Sequence, residues 1–244
     1  MYNMTPQAQA GGTISSPSTL AYLRRVYSYF SGGIAAAIAG ALIALYAGAP
    51  VEVADGVAVP PIVAFAIQHW LIGLIAYFGA FMVASFVRRS PGLNVLALGA
   101  YTFITGLYLA PMLFFAQLMA SHGQTLDASP VRDAFLLTGA AFTGLTGYVM
   151  ITRKNFSFLG AGLTMGLWVV LGAMVLGIFI HSAALSLAIA SVGVLLFCGY
   201  ILYDTSRILH EADDDPIGAA LRLFLDVVNL FVFLVRILSS QRDR

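Results

Sequence analysis

Apolar runs of about twenty residues or more recur seven times along the chain, and this repetition constrains the fold more than any motif does. A hydrocarbon core of about 30 Å takes roughly 20 residues of helix. Runs of that length fall at 26–47, 64–87, 93–119, 132–152, 156–180, 182–208 and 217–238. Between them stand segments with turn chemistry: GAPVEVADG, RRSPG, SHGQTLDASP, TRKN, HS and HEADDDP. Composition agrees, with 60 % hydrophobic and only 9 % charged residues, where soluble domains carry about 25 %; mean hydropathy is +0.90. The expected class is an all-α integral membrane protein with seven transmembrane helices over 23–244. A polar segment, 1–22, reads as a disordered cytoplasmic tail, because its apolar run comes too late and is too long for a cleaved leader. Pro111, inside the third run, predicts a kink or an end there, with FFAQLMA continuing as an interfacial turn.

Basic residues in the short loops set the orientation. Arg24 and Arg25, Arg88 and Arg89, and Arg153 and Lys154 occupy alternate loops, while GAPVEVADG carries only acids. The N-terminus is therefore expected in the cytoplasm and the C-terminal QRDR outside. Small residues four apart, Ala36 with Gly40 and Gly162 with Gly166, predict close helix contacts.

Several function classes fall away. Basic residues come in ones and twos, so nucleic acid is not a partner. The single Cys198 cannot form an internal disulfide and reads as a small core residue. Lys154, the only lysine, lies in a loop and cannot carry a retinal Schiff base within the last helix. No HExxH, nucleophile elbow or phosphate loop is present, and no two histidines have metal-ligand spacing.

What remains are ionisable residues at membrane depth, each costing at least about 2.5 kcal/mol on insertion scales. Asp204 lies near the end of the sixth run in GYILYDTSRIL, and Asp226 lies about nine residues into the seventh, roughly 13 Å along the helix. The short connection HEADDDP makes these two helices antiparallel neighbours, with Asp215 before Pro216 as a natural N-cap. Two carboxyl groups in hydrogen-bonding range at low dielectric cannot easily both ionise, so they would titrate as a unit. A purely local alternative stands beside this: Arg222 precedes Asp226 by four residues and Arg207 follows Asp204 by three, so each acid could be neutralised on its own helix. Asn229 could extend the polar face or bond a neighbouring helix.

The stretches YILYDTSRIL and ALRLFLDVVNLFVFLVRIL resemble the signature of the Bax inhibitor-1, or transmembrane Bax inhibitor motif, family in its bacterial branch. FVRRSPG leading to YTFITGLYLAP agrees more weakly. The resemblance implies six helices wrapped around a central C-terminal helix in a multi-pass protein of the cell inner membrane. It further implies a pH-sensitive calcium leak with no enzymatic activity and no cofactor. Asp204 and Asp226 take the positions of a hydrogen-bonded pH sensor and gate, and Arg88 that of a latch pairing with Asp204. Arg207 and Arg222 depart from the motif and would favour ionised acids; with Arg89 and Asn229 they are candidate modulators. Calcium, which takes roughly six to eight oxygen ligands, would touch the two aspartates only in passing. A second implication, from another class, is an interaction protein that restrains a membrane protease through its N-terminal tail. Buried acids also serve proton-coupled transport, a third reading for which no substrate site or repeat halves are evident.

Overall fold

The computed structural model describes residues 17–53, 57–120, 129–180, 182–211 and 215–242. Helix α1 spans Pro17–Tyr46, so residues 17–22 of the expected tail are helical. Pro17 suits a first turn, where an N–H has no intrahelical acceptor, and Thr19 and Val26 are buried. Residues 1–16 lie outside the described residues. The acidic loop folds into a hairpin of β1 (Val51–Val53) and β2 (Val57–Val59), antiparallel with Val51 opposite Val59. Its valines favour extended backbone.

The second apolar run divides into α2 (Pro61–Gln68) and α3 (Trp70–Val87), separated at His69, whose φ of −119° and ψ of 42° are not helical. Helix α4 (Leu93–Ala120) passes through Pro111 without ending, so FFAQLMA is helical and not the interfacial turn expected. The proline removes one backbone N–H, but Ala110 and Phe114 on either side are buried with Ala44 and Val63 in one cluster. That burial keeps the helix intact beyond the proline. Helix α5 (Ser129–Thr152) leads through a 3-10 turn, Ser157–Leu159, into α6 (Gly160–Phe179). Helix α7 (Ala183–His210) opens on Ser182, whose Oγ accepts from the Leu185 N–H at 3.3 Å. Helix α8 is Pro216–Arg242.

Among the described residues six helices, at 18–46, 70–87, 93–120, 129–152, 157–179 and 183–210, are long and apolar enough to cross a membrane by length and composition. Helix α8, the expected seventh span, is not among these six, and its 27 residues carry Arg222, Asp226, Arg236 and Arg242. The apolar surface has a clear location. On α3, Ile75, Phe78 and Phe86 are exposed, and on α6 so are Met165, Trp168 and Phe179. An aqueous protein would bury such rows, so these are the faces for lipid. By contrast, Arg236 alone is exposed over 216–240. Helix α8 packs against α1, α4, α5 and α7, and contributes Leu223, Phe224 and Leu230 to a core that includes Tyr101 and Ile201.

Helices α1 and α4 touch backbone to backbone. A Cβ on Gly40 would strike the Phe103 carbonyl, and one on Gly106 the Ala37 carbonyl. Gly40 thus behaves as its spacing predicted. Gly162 does not, since nothing lies within 4 Å of its Cβ position, whereas a Cβ on Gly166 would come within 2.9 Å of Leu196. Spacing finds small residues, but only packing decides which of them face a neighbour.

Candidate functional site

The site lies where the C-terminal end of α7 meets the start of α8. Asp204 is six residues from His210, the last of α7, and Arg222 is six residues from Pro216, the first of α8. Antiparallel helices therefore bring them level. The Arg222 Nε stands 3.3 Å from Asp204 Oδ1. Asp226 lies four residues further along α8, roughly 6 Å deeper, and the two carboxyl groups act on each other electrostatically. Both aspartates are buried, at 4 % and 5 % exposure.

Donors are scarce here. Among the described residues, Asp204 Oδ1, Asp226 Oδ2 and Arg222 Nε are all buried without an aligned hydrogen bond, so the Arg222 contact is one of charge rather than of directed bonding. An unsatisfied buried acceptor costs about 1–3 kcal/mol. A single proton held between the carboxyl groups would supply the missing donor. The expected local pairings do not form: Arg222 faces Asp204 rather than Asp226, and Arg207 Nε is 2.9 Å from Glu211 Oε2. Asn229 donates an Nδ2–H to the Leu225 carbonyl on its own helix at 2.8 Å.

Around the pair, three connections hold this end of the bundle together. Asp215 Oδ1 accepts from the Gly218 N–H at 2.8 Å, capping α8, while its Oδ2 lies 3.2 Å from Arg88 Nε just after α3. The Ser206 Oγ accepts from the Phe156 N–H at 2.8 Å. His210 has its Nδ1 2.9 Å from the Ser206 carbonyl and its Nε2 3.1 Å from the Arg153 carbonyl. The loop between α5 and α6 is thereby fastened to α7. Beyond the pair, a cavity of about 1050 Å³ opens between α4, α6, α7 and α8, with Tyr200, Asp204, Arg222 and Asp226 in its lining.

The family model described as inhibitor of apoptosis-promoting Bax1 matches residues 19–243. The chain belongs to the Bax inhibitor-1 family. An uncharacterized protein of Campylobacter jejuni is 34 % identical over 91 % of this chain and 90 % of its own. The Golgi anti-apoptotic protein of vaccinia virus is 31 % identical over 96 % and 92 %, and protein lifeguard 4 of Mus musculus is 32 % identical over 94 % and 90 %.

For this Bax inhibitor-1 family member, one expectation needs correction. Arg88 is paired with Asp215, not with Asp204. The reason is depth: Arg88 and Asp215 both stand just outside a helix, whereas Asp204 lies six residues inside α7, roughly 9 Å away along its axis. Arg89 is exposed and has no ion pair among the described residues. Sequence reading took Asp215 for a cap and missed its second partner; the signal available was an acid directly before a helix in a chain with few acids. Among the described residues no group of three His, Cys, Asp or Glu side chains is placed to hold a metal ion. Cys198 is half-buried against the core.

Proposed function

We propose that this protein is a passive, pH-sensitive cation leak in the bacterial inner membrane, with calcium as the permeant ion and no catalytic chemistry. The observation that carries the reading is the meeting of Asp204 and Asp226, buried and short of donors, at one end of the cavity along α8. In this reading α8 is the seventh span and the axis around which the other six wrap, with the N-terminus cytoplasmic. A proton shared by the carboxyl groups holds α7 to α8 and, with Arg222, cancels the charge a cation would need. Loss of that proton leaves two anions in contact at low dielectric, which repel and offer oxygen ligands to a passing divalent ion. Arg88 acts as latch through Asp215, tying α3 to the start of α8.

Liposomes loaded with a calcium dye test this. The full chain should give a flux that changes with pH, and replacing both aspartates by asparagine should leave a flux independent of pH. A flux no greater than that of empty vesicles at every pH would sink the proposal.

A second reading, an interaction protein that restrains a partner such as a membrane protease, is favoured by the anti-apoptotic description of the vaccinia relative. It predicts that removing residues 1–16 abolishes co-purification of the partner without altering flux.

A further inference from the structure

The cavity has two ends of different chemistry, and the proposed leak uses only one of them. From Asp226 to Arg236 is ten residues of α8, roughly 15 Å, and apart from Asn229 and Ser186 the walls between are apolar: Met112, Met119, Met174, Phe197 and Phe233 line them. Methionine is unbranched and soft, suited to surfaces that accept a flexible apolar guest rather than a rigid one. At the far end stand Arg236, Ser239 and Ser240. Their spacing of i, i+3 and i+4 puts all three on one face of the helix.

Two features of this face are unexplained by packing. Arg236 is the exposed residue in an otherwise covered helix, and it has no ion pair among the described residues. The Ser239 Oγ is buried and has no hydrogen-bond partner among the described residues. Hydroxyls within helices usually turn back to a carbonyl of the preceding turn. Thr105, Thr138, Thr164 and Ser191 each donate to the carbonyl four residues before. Ser239 departs from that habit while lining the cavity. A guanidinium beside two hydroxyls, one of them unsatisfied, is a receptor for an anion with several acceptor oxygens, and phosphate fits the planar fork of arginine. The acids of the cavity are at its other end, so they do not compete for Arg236.

We propose that this half of the cavity binds one membrane phospholipid with an anionic phosphate headgroup. The headgroup rests on Arg236, Ser239 and Ser240, and an acyl chain lies along α8 between α4 and α6, towards Asn229. The whole cavity, about 1050 Å³, is slightly larger than the roughly 300–1,000 Å³ of small-molecule sites, which leaves room for an elongated apolar guest in this half. The assignment does not depend on ion flux.

The test is native mass spectrometry of the full chain in detergent. It is titrated separately with phosphatidylglycerol, phosphatidylcholine of the same acyl chains, palmitate and inorganic phosphate. One phosphatidylglycerol is expected to be retained in preference to phosphatidylcholine. Arg236→Ala should weaken retention about tenfold, the scale of a lost charge-assisted hydrogen bond, and Ser239→Ala should weaken it less. Met174→Trp, at a half-exposed wall position, should lower retention with Arg236 intact. Arg24→Ala with Arg25→Ala, on α1, should change nothing. Each variant is accepted only if its thermal unfolding matches that of the parent. Equal retention of the two phospholipids overturns the headgroup assignment, and palmitate binding as tightly with the same dependence on Arg236 overturns the choice of phospholipid. Binding of inorganic phosphate alone, or no retained adduct, overturns the site.

Discussion

Arg222 on α8 stands level with Asp204 on α7, Nε to Oδ1 3.3 Å, and leaves Asp226 one turn deeper without an ion pair of its own among the described residues. The two acids therefore have unequal electrostatic neighbours although their sequence surroundings look alike. One arginine compensates one carboxylate, and the second acid lies against the first.

Double-mutant cycles should expose this inequality. Arg222→Met alone strands Asp204 and should destabilise the protein by about 1–3 kcal/mol, while Arg222→Met combined with Asp204→Asn should cost less than the sum. Coupling with Asp204 is expected to exceed about 0.5 kcal/mol and to be greater than coupling with Asp226, read from unfolding in detergent. Equal coupling to both acids would show that Arg222 serves them jointly.

The proton proposed to be shared by Asp204 and Asp226 would have an infrared signature. A protonated-carboxyl band should vanish as pH rises, and either Asp204→Asn or Asp226→Asn should change the midpoint at which the remaining carboxyl titrates, because each acid is the other's nearest titrating neighbour. Unaltered midpoints in both single variants would mean that the acids titrate independently.

Asp215 does two jobs, so its variants should rank. Asp215→Ala loses both the cap, about 1 kcal/mol, and the contact with Arg88. Asp215→Asn keeps an acceptor for the Gly218 N–H and should resemble Arg88→Ala, which loses only a half-exposed pair worth about 0–1 kcal/mol. Thermal unfolding that ranks Arg88→Ala below Asp215→Ala would contradict the double role.

The α1–α4 contact gives a prediction free of charge effects. Gly106→Ala should destabilise by about 1–3 kcal/mol, since the new methyl group collides with the Ala37 carbonyl and neither backbone can yield cheaply. Gly162→Ala, in open space on α6, should be neutral or stabilising by about 0.5–1 kcal/mol. Matching effects at the two glycines would refute the packing assigned to them.

Much of this molecule was determined by sequence alone. Runs of apolar residues separated by turn chemistry led to the long helices α1 and α4 to α7, because backbone groups in lipid must be satisfied within the segment. Asp204 and Asp226 could be singled out because charge at depth is costly, and the short link between α7 and α8 made them neighbours. Partner choice was a different matter. The spacing of Arg222 and Asp226 pointed along one helix, yet the arginine pairs across to Asp204, because the depth of each residue below its own helix end governs contact between antiparallel neighbours. Arg88 went to Asp215 for the same reason, and Gly106 rather than Gly162 received a backbone contact because helix rotation is set by the whole bundle. The bipolar cavity along α8 likewise exists only once four helices are assembled. Sequence periodicity specifies what each helix offers; the relative depth and rotation of packed helices decide which offers meet.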